Sequence, residues 1–255
     1  TAHNEYSEAD AMVARAESLV SKSDTRERSA IQRHWGMMLR RVGRSEASLA
    51  RLSKAADSYR RENRIGDLAW TCFNLAELHN ELFTDHTRAL GLLEEAQKLF
   101  ALQKDTMGLA DSWNGIAEVH RTMGNLAHAE AAYQESENLF RRAGVDTSVV
   151  PLLNRGLLHL ERGQYDSAAE LLEEVRASLR GGTWTALMPF IHAGLLAVSG
   201  ASADWNAWDL HEDALRASLE NTTMVERDLA SPLERAGDMA QLEGDLDRAQ
   251  RAWNL

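Results

Sequence analysis

The feature that most constrains this chain is an internal repeat. The segment NLAELH at Asn74–His79 returns as GIAEVH at Gly115–His120, and again in weaker form as RGLLHL around His159. The three histidines are therefore spaced 41 and 39 residues apart. Self-similarity at such a period is typical of arrays in which one supersecondary unit stacks on the next, because a single unit cannot bury its own apolar face.

The repeated unit is predicted to be helical. The sequence has 3 prolines in 255 residues, and residues that favour helices, such as Ala, Leu, Glu and Arg, are abundant. Strands would show alternating β-branched residues, and that pattern is nearly absent. Glycine recurs where a short turn would join two helices, at Gly43, Gly124, Gly163 and Gly244. The chain is therefore predicted to be all-α and built from helix pairs.

The clearest copy of the unit contains Trp113, Ile116, Ala117 and His120, followed by Gly124, Ala129 and Tyr133. This spacing resembles the tetratricopeptide pattern W-x2-L-G-x2-Y followed by A-x3-F, with histidine in the tyrosine position. The marker residues of the weaker copies are Trp35, Gly36, Leu39, Gly43 and Leu52; Cys72, Leu75, Ala76, His79, Ala89 and Leu93; Leu152, Gly156, His159, Gly163, Ala168 and Leu172; and Leu233, Ala236, Gly237, Ala240, Gly244, Ala249 and Trp253. The period exceeds the usual value of about 34 residues, and in this it resembles the repeats of kinesin light chains, mitotic-spindle adaptors and bacterial regulatory proteins.

The resemblance implies a right-handed α-solenoid, a superhelix of antiparallel helix pairs with about 12 or 13 helices. We expect one solenoid domain over residues 1–255, with units at approximately 1–23, 26–64, 66–104, 107–144, 147–180, 183–222 and 225–255. Residues 1–23 would supply only the second helix of a unit, and the chain ends partway through another. We therefore expect the sequence to be a piece of a larger protein.

Charge is unevenly distributed along the chain. The net charge is −11, which argues against generic nucleic-acid binding, because such binding needs clustered cations that displace counterions from phosphates. Residues 26–64 nevertheless hold 11 basic and 4 acidic side chains. This segment either attracts an acidic partner or another domain of the same polypeptide, or it is a solvated helix face.

No membrane or secretory segment is visible. The apolar stretch Met188–Val198 is shorter than the roughly 20 residues that a bilayer span needs, and the N-terminal residues lack a basic region followed by an apolar core. A single cysteine, Cys72, excludes an internal disulfide and fits a reducing compartment. We therefore predict a cytoplasmic protein that does not bind membranes.

The recurring histidines His79, His120 and His159 are predicted to be structural. Zinc ligands lie about 2 Å from the metal, whereas packed helices lie about 8 to 10 Å apart, so equivalent side chains on successive units cannot converge. Each ring is expected to hydrogen-bond to the neighbouring helix. Cys72 is likewise expected to be a buried packing residue. Because phosphate-binding loops, metal-ligand pairs and nucleophile motifs are absent from the sequence, we predict no catalytic residue, no metal and no cofactor.

A partner is expected to bind along the first helices, which line the concave groove of tetratricopeptide arrays. In long-period members an asparagine before the Leu-Gly or Leu-Ala pair can donate to and accept from a peptide backbone. The residues at this position, with Asn114 displaced by one, are Asn74, Asn114, Asn154, His34, His192 and Arg235. Three cations are expected to face the same groove and would suit a carboxylate or phosphate: Arg33, Arg40 and Arg41. The alternative is that Asn74 and Asn154 merely satisfy adjacent backbone groups.

A second resemblance concerns the C-terminal half of the chain. The stretches Val150–Glu174, Asp204–Asp209 and Glu226–Trp253 resemble the repeat region that follows the kinase domain of large bacterial serine/threonine protein kinases. We therefore predict a protein-interaction or regulatory module of a bacterial signalling protein that binds a peptide or partner domain. The alternative is a sensor that closes around a peptide or metabolite and controls an attached kinase, ATPase or transcription domain.

Overall fold

The computed structural model describes residues 24–145, 149–179, 185–220 and 229–255, together with residues 12, 15 and 18–20. The predicted partial unit at 1–23 therefore lies almost wholly outside the described residues. The chain divides into two compact units, Thr1–Gly144 and Val145–Leu255. Whether residues 1–255 form one continuous solenoid stays a prediction, and the two units are described separately below.

Six α-helices in the described residues of the N-terminal unit form three hairpins. Their bounds are α1 Thr25–Arg41, α2 Ser45–Arg61, α3 Ile65–Glu81, α4 His86–Gln103, α5 Thr106–Thr122 and α6 Leu126–Arg142. Each helix packs most extensively against its hairpin partner, and the second helix of each hairpin then contacts the first helix of the next. The first helix of a hairpin is therefore α1, α3 or α5.

The C-terminal unit is also built from paired helices, which are shorter. Its described residues form α7 Val149–Glu161, α8 Tyr165–Ser178, a 3-10 turn at Thr185–Leu187, α9 Met188–Ala201, α10 Trp205–Glu220, α11 Ala230–Leu242 and α12 Leu246–Trp253. The predicted all-α fold of paired helices is thus confirmed, with 12 α-helices in the described part of the chain. No helix among these residues is long and apolar enough to span a bilayer.

Aspartate and glycine set the ends of many helices. Asp24, Asp85, Asp105 and Asp245 each accept a hydrogen bond from the backbone N–H three residues further on, which satisfies an otherwise unpaired donor of the first turn. Gly43, Gly124, Gly163 and Gly244 have φ values between 70° and 82°, in the left-handed region that disfavours larger residues. The glycine turns predicted from the sequence are therefore confirmed.

Small residues hold the two helices of a hairpin at close range. A Cβ atom on Gly36 of α1 would lie 2.7 Å from the Cγ of Leu52 on α2. The buried Ser48 hydroxyl donates to the Gly36 carbonyl at 2.7 Å, and Ser136 donates in the same way to Ala110 at 2.8 Å. Close packing of the two backbones and apolar contacts therefore hold the helices of a hairpin together. The outward faces of the first helices are not needed for this packing and can carry polar or charged side chains.

Candidate functional site: the first-helix face

The first helices of the N-terminal unit are joined by polar side chains. Arg40 of α1 forms an ion pair of 3.1 Å with Glu77 of α3 and donates to both carboxylate oxygens of Glu81 at 2.8 and 2.7 Å. On the other side of α3, the Thr122 hydroxyl of α5 donates to the Asn80 side-chain oxygen at 2.9 Å. We call this surface, formed by Arg40, Glu77, Asn80, Glu81, Asp111 and Thr122, the first-helix face.

Helix geometry explains why these residues share one surface. Glu77 and Glu81 are four residues apart on α3 and therefore point the same way, and Asn80 lies between them toward α5. The helix α3 packs between α1 and α5 and contacts both. Its central position makes α3 the element that joins Arg40 on one side to Thr122 on the other.

Two carboxylates on this face are poorly solvated. Burial raises the pKa of Glu77 to about 7, against the opposing effect of Arg40, and the negative charges of Glu81 and Asp111 raise it further. Burial, assisted by the charge of Asp105, raises the pKa of Asp111 to about 6. Both acids therefore change charge near neutral pH, and a cation placed beside them would favour their ionised forms.

The predicted arginines of α1 occupy three different environments. Arg40 is held by the carboxylates described above, whereas Arg41 is exposed at the end of the helix. Arg33 is half-buried, and its Nε atom is buried without a hydrogen-bond partner. Next to it, His34 is exposed, with its Nδ1 atom 2.8 Å from the Ala30 carbonyl oxygen of the same helix.

The predicted asparagines do not form an open ladder. Asn74 is buried, with 5% of its surface exposed, and its amide donates to the Trp70 carbonyl at 2.7 Å within α3. This is the contact expected if Asn74 satisfies adjacent backbone. Asn114 and Asn154 are half-buried, and each takes part in an interaction within the chain. When the repeats are aligned on His79 and His120, the residue equivalent to Asn114 is Phe73 and not Asn74.

Besides Asn154, two predicted site residues lie in the C-terminal unit, and both contact other residues of that unit. His192 is buried, and its Nδ1 atom lies 3.2 Å from the Nδ1 atom of His211. Burial and the neighbouring His211 lower the pKa of His192 to about 4, so it is neutral at physiological pH. Arg235 of α11 donates to the Glu161 carbonyl at the end of α7, at 3.3 Å.

Sequence reasoning missed the acidic residues of the first-helix face. Their signal is the residue directly after the Leu-Ala or Ile-Ala pair, which is Glu77 in one repeat and Glu118 in the next. Glu118 pairs with Arg121 at 2.9 Å and accepts a hydrogen bond from the buried Tyr133 hydroxyl. The same sequence position thus supplies an acid in both repeats, but only structure shows that Glu77 meets Arg40.

The recurring histidines lie in separate local environments. His79 packs on Phe83 with ring centroids 5.6 Å apart, and His120 stacks on His128 at 5.2 Å. His159 lies 2.6 Å from the Gln164 side-chain oxygen. The Nδ1 atoms of His79 and His120 are buried and have no hydrogen-bond partner, so they do not form the predicted hydrogen bond to a neighbouring helix. The His79 ring lies tilted against Phe83, and only the His120 ring is stacked.

His79, His120 and His159 take part in no metal-binding cluster among the described residues. Within the described residues, no group of three or more His, Cys, Asp or Glu side chains is placed to hold a metal ion. Cys72 is fully buried, as predicted, and burial raises its pKa to about 12, so its thiol is not a nucleophile at neutral pH.

Comparison with known proteins agrees with the repeat pattern. The tetratricopeptide repeat family matches residues 108–180. That segment spans α5 to α8, including the clearest repeat copy. No curated protein sequence gives a significant match to the chain.

Solved structures extend the similarity over most of the chain. A Rap protein complexed with competence and sporulation factor superposes with a TM-score of 0.70 at 16% identity, over 92% of this chain and 63% of that protein. Aspartyl phosphate phosphatase F from Bacillus subtilis gives a TM-score of 0.74 at 14% identity, over 98% of this chain and 64% of its own. The TPR-like repeats of a Podosopora anserina kinesin-light-chain type protein give 0.56 at 15% identity, over 80% of this chain and 99% of theirs.

These structures show a TPR-like helical repeat fold. At such low identity the similarity concerns the fold alone. This chain also spans less than two thirds of the Rap protein and of phosphatase F. The activities and partners of those proteins therefore do not transfer to it directly.

Proposed function

We propose that this protein is a non-catalytic interaction module that binds a peptide or partner domain on the first-helix face. The observation that supports this most directly is the Arg40–Glu77–Glu81 cluster, which joins two first helices through charged groups at a surface the fold does not require to be charged. Glu77 bears a desolvation cost in the free protein, and a partner that supplies cationic or hydrogen-bonding groups would offset it.

Site-specific photo-crosslinking tests this proposal. A photoreactive amino acid replaces Asn114, a half-buried residue of α5 three positions after Asp111 and so on the same side of that helix, in one variant. In the matched control it replaces Gln134, an exposed residue of the second helix α6. Crosslinking in cells of the source organism, followed by mass spectrometry, should give a defined partner from position 114 and not from position 134. Equal labelling at both positions, or none at either, would contradict the proposal.

A second candidate function is a sensor that closes around a small peptide or metabolite. The Rap protein of similar fold was solved with competence and sporulation factor bound, which favours a ligand-binding role for a chain of this architecture. Small-angle X-ray scattering with low-molecular-weight cell extract should then show a smaller radius of gyration than with buffer alone. An unchanged radius together with a crosslinked protein partner would favour the scaffold.

The cellular setting is a further part of the proposal. We propose a cytoplasmic bacterial signalling protein, with the repeats attached to or regulating a serine/threonine kinase. The support is the resemblance of Val150–Glu174 and Glu226–Trp253 to kinase-associated repeats, together with the single buried Cys72. The sequence of the intact gene product tests it, since a kinase domain encoded in the same frame would agree and an unrelated output domain would not.

A further inference from the structure

The helix α9, which is the middle first helix of the C-terminal unit, is covered on every side. None of its 14 residues is exposed, and none is charged. Its counterpart in the N-terminal unit, α3, instead carries Glu77 and Glu81 on the first-helix face. A helix that is apolar all round is buried all round. Another element therefore covers the side of α9 that corresponds to the open side of α3.

The helix α11 is that element. It packs extensively against α9 and only slightly against α10, whereas in the N-terminal unit each second helix contacts the next first helix. A Cβ atom on Gly200 of α9 would lie 3.1 Å from the Cβ atom of Met239 on α11. The Arg235 guanidinium donates to the Glu161 carbonyl of α7, and the Tyr165 hydroxyl of α8 donates to the Met239 sulfur at 3.2 Å. The last hairpin thus lies over the first helices of its own unit.

Apolar contact holds this hairpin only weakly. The buried residues of α11 are mostly small, namely Pro232, Leu233, Ala236, Gly237 and Ala240. Gly237 lies directly under the indole ring of Trp253, which belongs to α12 of the same hairpin. Because the free energy of burial scales with apolar area, a face rich in alanine and glycine contributes little.

Ion pairs supply much of the remaining attachment. Arg248 of α12 pairs with Asp209 of α10 at 2.9 Å, and its guanidinium lies 5.0 Å from the centre of the Trp205 ring. Arg251 of α12 pairs with the buried Glu212 of α10 at 3.0 Å. Since Asp209 keeps 54% of its side-chain surface exposed, salt screens its pair with Arg248.

We propose that the α11–α12 hairpin is an autoinhibitory cover, which opens from α9 and α10 while the rest of the C-terminal unit stays folded. Local opening follows the weakest contacts of a structure, and here these lie between the hairpin and its neighbours. Opening exposes the uncharged side of α9, so the closed hairpin withholds an apolar surface from binding in the free protein. The cover lies in the C-terminal unit and is independent of partner binding on the first-helix face of the N-terminal unit.

Thiol labelling with N-ethylmaleimide, followed by mass spectrometry, tests this opening. Ala193→Cys places a thiol on the side of α9 that faces Met239, because Ala193 is fully buried and precedes Gly200 by two helical turns. The control within the same unit is Val175→Cys, at a fully buried position of α8. The native Cys72 of the other unit is an internal reference. The thiol at position 193 should react about tenfold faster than the thiol at position 175.

The ion pair on α10 should control the rate. Asp209→Asn should speed the labelling of Ala193→Cys about threefold. Raising NaCl from about 0.05 to about 0.5 M should have a similar effect when Asp209 is present and little effect in Asp209→Asn. The matched control is Asp213→Asn, which removes an exposed acid of the same helix that has no ion pair within the described residues, and it should leave the rate nearly unchanged.

Equal labelling at positions 193 and 175, or equal acceleration of both by Asp209→Asn, would show that the unit opens as a whole and would overturn the proposal. A cysteine at a packed position can itself disturb the fold, so hydrogen exchange of the unaltered protein provides a second measurement. Backbone amides of α11 should exchange about tenfold faster than those of α8. Equal protection of the two helices would also overturn the cover. Crosslinking at position 114 probes the other unit, so its failure would leave these results unaffected.

Discussion

Replacement of Glu77 by glutamine should change how the stability of the protein depends on pH. Glu77 has a pKa of about 7 in the folded protein, raised from 4.5 mainly by burial. The folded state therefore binds more protons than the unfolded state between these values, and stability falls as the pH rises from about 4.5 through about 7. Between pH 5 and pH 8 the linkage relation gives a loss of about 2.5 kcal/mol.

The expected magnitude is smaller because Glu77 is not fully removed from water. Its side chain keeps 27% of its accessible surface, and solvent screening reduces the effect to about 1.5 kcal/mol. The Glu77→Gln variant has no proton to exchange at this site, although its amide still reaches Arg40. Its free energy of unfolding should therefore decline less than that of the wild type over the same pH range.

Urea unfolding at pH 5 and pH 8 measures this difference. The control is Glu81→Gln, which removes the other carboxylate that contacts Arg40 but leaves the Glu77 carboxyl in place. Most of the wild-type slope should therefore persist, reduced by the part that the Glu81 charge adds to the Glu77 pKa. Parallel pH profiles for the wild type and Glu77→Gln would refute the reasoning, because they would show that Glu77 is as well solvated in the folded protein as in the unfolded chain.

Two further predictions concern the interior. Burial and His211 lower the pKa of His192 to about 4, so the unfolded chain binds a proton at this site more readily than the folded protein does. Stability should therefore fall as the pH drops below about 6.5, by about 2 kcal/mol at pH 5. His192→Gln should reduce this loss in urea unfolding, and the part that remains is expected from His211, whose pKa burial also lowers. Gly108→Ala should lower the Tm by several degrees, because the alanine Cβ would lie 2.3 Å from the Phe100 ring. Gly91→Ala should instead raise stability by about 0.5 to 1 kcal/mol, because the alanine Cβ at this position of α4 meets open space and alanine favours the helix. A Tm change of the same sign in both glycine variants would contradict this packing argument.

The helices and turns could be predicted from the sequence because their causes are local or periodic. A glycine such as Gly124 marks a turn through its own backbone freedom, and it adopts φ 75° whatever packs around it. The spacing of Ile116, Ala117 and His120 reports which side of the helix is buried. Both kinds of signal are written within a few consecutive residues.

The candidate site could not be predicted in the same way, because it depends on contacts between repeats. Arg40 and Glu81 are 41 residues apart in the sequence, and nothing in the neighbourhood of either residue indicates that they meet. The alignment of the repeats matters as well. Asn114 follows Asn74 by 40 positions, one fewer than the 41 that separate His79 from His120, so the two asparagines occupy different positions on their helices. Asn74 is buried inside its helix pair with 5% exposure, whereas Asn114 is half-buried. A polar residue in a repeated motif therefore does not by itself mark a binding surface.

Groups that lower the stability of the free protein mark where the proposed partner would bind. The Ser48 hydroxyl and the fully buried Cys72 both fit their surroundings, since the first has a carbonyl to bond and the second stays a neutral thiol. Glu77 and Tyr59 do not fit in this way, because one carries a charge that burial disfavours and the other a hydroxyl without a partner. Glutamine and phenylalanine would fill the same space without these costs. Glu77 lies beside Arg40 on the first helices, and Tyr59 lies on the second helix α2 of the same unit, which is the pattern expected when stability has been exchanged for recognition.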